Sequence, residues 1–151
     1  MGRIMAIDYG RVRTGLAVTD PLRIIATALE TVATPTLIDY LKHYCREEEV
    51  NMFVVGQARH LDGTPSESMV LIEPFVAQLK TIFPDKEVAR IDERFTSKIA
   101  MQAIIDSGTR RKERRDKGRI DRVAATIMLQ DYMRQQSNLM EKEHSNTKKS
   151  I

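Results

Sequence analysis

One cysteine, Cys45, is all the thiol chemistry this chain possesses. An internal disulfide is therefore excluded, and the helical pattern around Cys45 makes it a core residue rather than a metal ligand or a nucleophile. No apolar stretch approaches the roughly 20 residues of a membrane span. The N-terminus lacks the basic, then apolar, then small-residue pattern of a signal peptide. The expected location is cytoplasmic, with no membrane partner. Internal repeats are absent, and no linker divides the chain. Net charge is also small, a formal +3, so the global balance by itself names no partner.

What is present fits one globular domain: 151 residues, 42% hydrophobic and 30% charged, enough to enclose a sizeable core. That domain is expected over residues 1–136. The polar stretch 137–151 has little to bury and is expected to be a frayed or disordered tail. Ile4 to Ile7 reads as a buried strand ending at Asp8. Thr14 to Thr19 follows after a turn too short for anything but an antiparallel pairing. Ile24 to Val32 makes a third β-prone run after the Asp20-Pro21 turn. Thr34-Pro35 opens a helix with Leu37, Leu41, Tyr44, Cys45 and Glu48 at helical spacing. Asn51 to Gly56 is nearly continuous in apolar residues, as in a strand covered on both faces. A second helix carries Ile72, Phe75, Val76, Leu79, Ile82 and Phe83 inward, and Pro74 should kink it or mark its start. Glu87 to Ile91 is a further strand. Thr96 or Ser97 caps a third helix that stops at Gly108, and a last one starts near Gly118 with Ile120, Val123, Ala124, Ile127 and Met128 toward the sheet. The expectation is an α/β fold with a five-stranded mixed sheet, an antiparallel meander followed by parallel strands, and helices on both faces.

Three acids stand at comparable places on this scheme. Asp8 ends the first strand, beside Gly10 and Gly15, which would let a phosphate or a metal approach closely. Turn statistics alone favour a simple capping role for it. The strand from Glu87 delivers Asp92 and Glu93 at its own C-terminal end. Asp121 lies in the first turn of the last helix, where the helix dipole already favours a carboxylate. Ala124 and Ala125 beside it would let that helix sit close on the sheet and bring Asp121 toward Asp8. Converging carboxylates repel unless cations lie between them. Mg²⁺ or Mn²⁺ prefers such oxygen ligands, and two ions about 4 Å apart can activate water and stabilise a leaving oxygen in phosphodiester hydrolysis.

Basic residues concentrate nearby. Residues 107–119 hold seven Arg or Lys against Glu113 and Asp116, a net +5. Arg110, Arg111, Lys112, Arg114, Arg115 and Lys117 lead directly into Asp121 and, with Arg11, Arg13 and Arg94, are the candidate phosphate contacts. Such contacts position a nucleic acid without reading its sequence, which suggests structure-selective recognition. A solvated charge run is the plain alternative. Arg94 could equally pair with a neighbouring acid, Tyr9 could stack on a base or pack beside its strand, and His60 reads as a loop histidine more readily than as a proton carrier.

Four segments in order carry a specific resemblance: Ile7-Asp8-Tyr9-Gly10 with Gly15; Val54-Val55-Gly56 followed by Asp62-Gly63-Thr64; Asp92-Glu93-Arg94-Phe95-Thr96-Ser97; and Lys117-Gly118-Arg119-Ile120-Asp121 with Ala124-Ala125. The chain resembles the YqgF/RuvX family of RNase H-like proteins, described as Holliday junction resolvases and as the nuclease that matures the 5′ end of 16S ribosomal RNA. The resemblance runs from residue 3 to about 135. It implies an RNase H-like sheet and carries Asp8, Glu93 and Asp121 over as catalytic metal ligands. Asp92 is a candidate assisting acid, although along a strand it should face away from Glu93. Gly56-Gln57-Ala58-Arg59-His60 departs from the family's Gly-Leu-Pro at that point. The implied partners are structured RNA, ribosomal precursor particles or branched DNA. Monomer and dimer stay open, although junction resolution would require a dimer. A non-catalytic RNA- or ribosome-binding module is the rival class; an actin-like phosphotransferase would need a second lobe that a chain of this size lacks.

Overall fold

Five strands assemble in the order β3-β2-β1-β4-β5. β1 (Arg3–Asp8) and β2 (Arg13–Thr19) pair antiparallel, as do β2 and β3 (Ala26–Ala33). β4 (Val50–Gln57) lies parallel to β1, and β5 (Glu87–Asp92) parallel to β4. The helices are α1 (Leu37–Glu47), α2 (Met69–Ile82) and α3 (Lys117–Lys149). The computed structural model describes residues 2–57, 64, 66–67, 69–92 and 117–149, with side chains of α3 from Arg119 to Glu143. The expected mixed sheet, meander first and parallel strands after, is the observed one. His60, Glu93, Arg94, the helix expected from Thr96 or Ser97, Arg110, Arg111, Lys112, Arg114 and Arg115, and the Lys117 side chain lie outside the described residues.

Alternation along the strands divides the core in two. Met5, Ile7, Leu16, Val18, Phe53 and Val55 face α1 and α2, where they meet Leu37, Leu41, Ile72, Phe75, Val76 and Leu79. Ile4, Ala6, Ala17, Val54 and Ile91 face the other way, onto Ala125, Met128, Leu129 and Tyr132 of α3. Each large side chain so enclosed contributes about 1.5–3 kcal/mol relative to exposure. Toward the Asp8 end of β1 and β2 the residues facing α3 are small, Ala6, Ala17 and Gly15, and that is what lets a helix backbone come near the sheet there.

Several local expectations are corrected. β3 starts at Ala26, not Ile24, because both Asp20 Oδ1 contacts are taken up by the turn: the Ile24 and Ile25 amides donate to it at 2.7 and 2.8 Å. A 3-10 turn, Thr34–Thr36 with Pro35 in its first positions, precedes α1. Glu48 lies beyond the end of α1 and pairs with Arg3 at 3.4 Å. α2 begins five residues before Pro74 and continues through it; the ring forfeits one backbone hydrogen bond within the helix. On α3 the face buried against the sheet is Ala125, Met128, Leu129 and Tyr132, whereas Ile120, Val123 and Ala124 are only half-buried. Ile127 and Met128 of the expected stripe are buried, and the inward face also takes in Ala125 and Leu129. α3 also runs to Lys149, through the segment expected to be disordered. Nothing between Met133 and Lys149 is glycine or proline, so no breaker stops it. Its side chains from Arg134 to Glu143 are exposed, in keeping with the expectation that this stretch buries little.

Candidate functional site

Asp8 is the last residue of β1 and is directly opposite Gly15 of β2. Its parity along the strand is that of Ile4 and Ala6, the residues that face α3. A Cβ added to Gly15 would collide with the backbone carbonyl of Asp121. The first turn of α3 therefore rests on Gly15, and only a glycine admits it there. One small residue thus brings an acid from the first strand and an acid from the last helix to the same end of the sheet. Both are half-buried. The sequence expectation that α3 would carry Asp121 toward the edge bearing Asp8 is what the packing against Gly15 shows.

The turn between β1 and β2 is held from outside. Thr34 does this: its amide donates to the Val12 carbonyl at 2.9 Å, and its hydroxyl donates to the Gly10 carbonyl at 2.7 Å. Thr14 and Thr34 also share a hydroxyl hydrogen bond of 2.9 Å. Gly10 is closed against the Arg13 carbonyl, where a Cβ would collide. This fixes the backbone at Arg13, whose Nε donates to Asp121 Oδ2 at 2.7 Å. The pair is partly open to solvent, with side-chain exposures of 40% and 25%. Arg13, expected as a phosphate contact, is in this structure the partner of a candidate metal ligand. The pairing was not legible in the sequence, since the two residues are 108 apart. Arg11 is exposed at the tip of the same turn.

Other candidates sort more simply. Tyr9 stacks on Phe75 of α2, with ring centroids 4.5 Å apart and planes 24° from parallel, so it packs beside its strand. Asp92 ends β5 opposite Gln57. Its parity is that of Val88 and Arg90, and Arg90 reaches toward α2, pairing with Glu73 at 2.8 Å and donating to the Val55 and Gly56 carbonyls. Burial raises the Cys45 thiol above its ordinary pKa, in keeping with a packing role. Among the described residues no group of three His, Cys, Asp or Glu stands together as a metal site, and Glu93, the third expected ligand, lies outside them. No described helix is long and apolar enough to cross a membrane.

Comparison with known proteins covers nearly the whole of this arrangement. Residues 2–135 match the family model RuvX, described as Holliday junction resolvase. A relative from Flavobacterium johnsoniae is 53% identical over 133 residues, 88% of this chain and 96% of its own. One from Porphyromonas gingivalis is 50% identical over 133 residues, again 88% and 96%, and one from Flavobacterium psychrophilum is 49% identical, covering 88% and 97%. All three bear the name "Putative pre-16S rRNA nuclease". The matched segment takes in both acids, the glycine between them and the strand that ends at Asp92, and on that span this chain belongs to the RuvX family of RNase H-like proteins.

Proposed function

We propose that the chain is a divalent-metal-dependent nuclease that hydrolyses phosphodiester bonds in the 5′ region of precursor 16S ribosomal RNA. The observation that carries this reading is the seating of α3 on Gly15, which gathers Asp8 and Asp121 at one end of the sheet. The donors so gathered are carboxylate oxygens, the chemistry that suits Mg²⁺ or Mn²⁺. Glu93, next in sequence after the end of β5 and outside the described residues, is the third ligand of the proposal, as the family resemblance implies. When bound, the metal activates water and stabilises the leaving oxygen. The chain's own residues do the rest. Asp8, Glu93 and Asp121 hold the cation. Gly15 fixes the separation of two of them, and Arg11 with the basic stretch Arg110, Arg111, Lys112, Arg114, Arg115 and Lys117 holds phosphates to either side without selecting a base. The names of the relatives support RNA as the substrate, and the family description keeps four-way DNA junctions in view.

The test is incubation of the pure protein with precursor 16S RNA, duplex DNA and a four-way DNA junction, each with and without Mg²⁺ or Mn²⁺. Metal-dependent cleavage of the RNA is expected. In the same assay Glu93→Gln and Asp121→Asn should each lower hydrolysis by orders of magnitude while RNA affinity stays within a few-fold, because ligands of one metal cluster fail together. Asp92→Asn should cost much less. Cleavage of the junction alone would shift the substrate to DNA. A wild type inert on all three, yet retaining RNA affinity, would leave a binding module as the function.

A further inference from the structure

The pairing of Arg13 with Asp121 has no obvious place in a site built to hold cations. Asp121 Oδ2 receives the Arg13 Nε–H at 2.7 Å, so one oxygen of a proposed ligand is already engaged by a guanidinium. The contact is not incidental to a mobile side chain. Arg13 opens β2, its carbonyl is closed against Gly10, and the neighbouring Thr14 is tied to Thr34. Its parity along β2 is that of Gly15 and Ala17, the positions facing α3. The backbone thus delivers the guanidinium to the same face as both acids.

We infer that Arg13 is a built-in counter-ion for Asp121, competing with the divalent cation for that carboxylate and turning to a substrate phosphate when the cation takes its place. The inference rests on Asp121 being a metal ligand, as proposed above. Bringing two acids to one end of the sheet concentrates negative charge there, and a positive group held on Asp121 favours the seating of α3 on Gly15 before any metal arrives. A guanidinium also suits the second station, since it forks onto phosphate as readily as onto carboxylate. Cation loading and phosphate capture would then be linked: binding of either the metal or the nucleic acid draws Arg13 away from Asp121, so each favours the other.

The experiment measures Mn²⁺ binding to the purified protein by the loss of the free-ion electron spin resonance signal, without nucleic acid and without turnover. Arg13→Gln should bind Mn²⁺ about two- to five-fold more tightly than the wild type, the scale set by a partly exposed ion pair. Arg13→Lys, which keeps a positive charge, should stay near the wild type. Arg11→Gln removes the same charge from the exposed tip of the turn and should shift the affinity less, which separates a direct pair from a general field. In an Asp121→Asn background the Arg13→Gln effect should vanish, as a coupled pair requires. Circular dichroism of each variant verifies that α3 and the sheet are intact. Equal or weaker Mn²⁺ affinity in a folded Arg13→Gln protein overturns the competition while leaving the metal site standing. Mn²⁺ binding by neither wild type nor Arg13→Gln overturns the metal reading and the competition together. Tighter Mn²⁺ binding in Arg13→Gln, beside a wild type that cleaves none of the three substrates in the assay above, upholds the competition and overturns the nuclease.

Discussion

Gly15 is the residue on which the site most depends, although it has no side chain to offer. It is the register partner of Asp8 and the seat of the Asp121 backbone. Gly15→Ala should force α3 away from β2 and cost about 1–3 kcal/mol, the usual scale of overpacking a close contact. Urea unfolding measures the loss of stability, and a larger proportional loss of cleavage is expected because Asp121 moves with the helix. A stable, fully active Gly15→Ala protein would show that the approach is not tight. Asp20 offers a separate test through pH. Its carboxylate is held below the ordinary value of 3.8, first by the hydrogen bond from the Ile25 amide and also by those from Ile24 and Leu22. Because the folded value is depressed, its contribution to stability is fully present above the ordinary value and disappears as pH falls through the lower folded one. The stability difference between wild type and Asp20→Ala, followed by urea unfolding, should therefore be constant from pH 7 to pH 5 and shrink below about pH 4.

At the scale of elements, long periodic segments were legible in the sequence and their termini were less so. The α2 stripe from Ile72 to Leu79 reads directly from apolar spacing, and those residues are buried. The start of β3 does not, because the competing partner for the Ile24 and Ile25 amides is the side chain of Asp20 rather than another strand. On α3, Ile127 and Met128 were legible from apolar spacing and are buried, whereas Tyr132 was not, since its hydroxyl counts as polar until its hydrogen bond to Met52 Sδ at 3.4 Å is known. Of the candidate site, the placement of Asp8 and Asp121 at the ends of elements was legible, and both come to the same end of the sheet. The Arg13 pairing was not, because no local pattern encodes a contact across 108 residues. α3 itself is about 50 Å long at 1.5 Å per residue, and only its first half lies on the sheet. Ending the chain after residue 136 removes exposed helix such as Leu139 and Met140, 53% and 70% exposed. That truncation should leave the melting temperature within a few degrees and the cleavage rate unchanged; a cooperative loss of both would assign the segment a structural role.

At the scale of the whole molecule, the two half-cores meet through one sheet, so anything that binds the end of that sheet stabilises both. Millimolar Mg²⁺ or Mn²⁺ should raise the melting temperature by mass action. In Asp8→Asn the rise should be smaller, since one of the proposed ligands has lost its charge. A transition that ignores both cations would count against the metal site. The wiring of the sheet has one further effect. β1 and β2 are made first, but the helix that brings a second acid to the Asp8 end of the sheet begins at Lys117, in the last quarter of the chain, after every described strand has been synthesised. A growing polypeptide can therefore pair its meander and still have no competent site, because Gly15 waits for a partner not yet translated. On the function proposed above, a nuclease assembled in this order stays silent until α3 docks, and a protease cut just ahead of α3 would separate the proposed ligand Asp121 from Asp8 while leaving every described strand of the sheet in place.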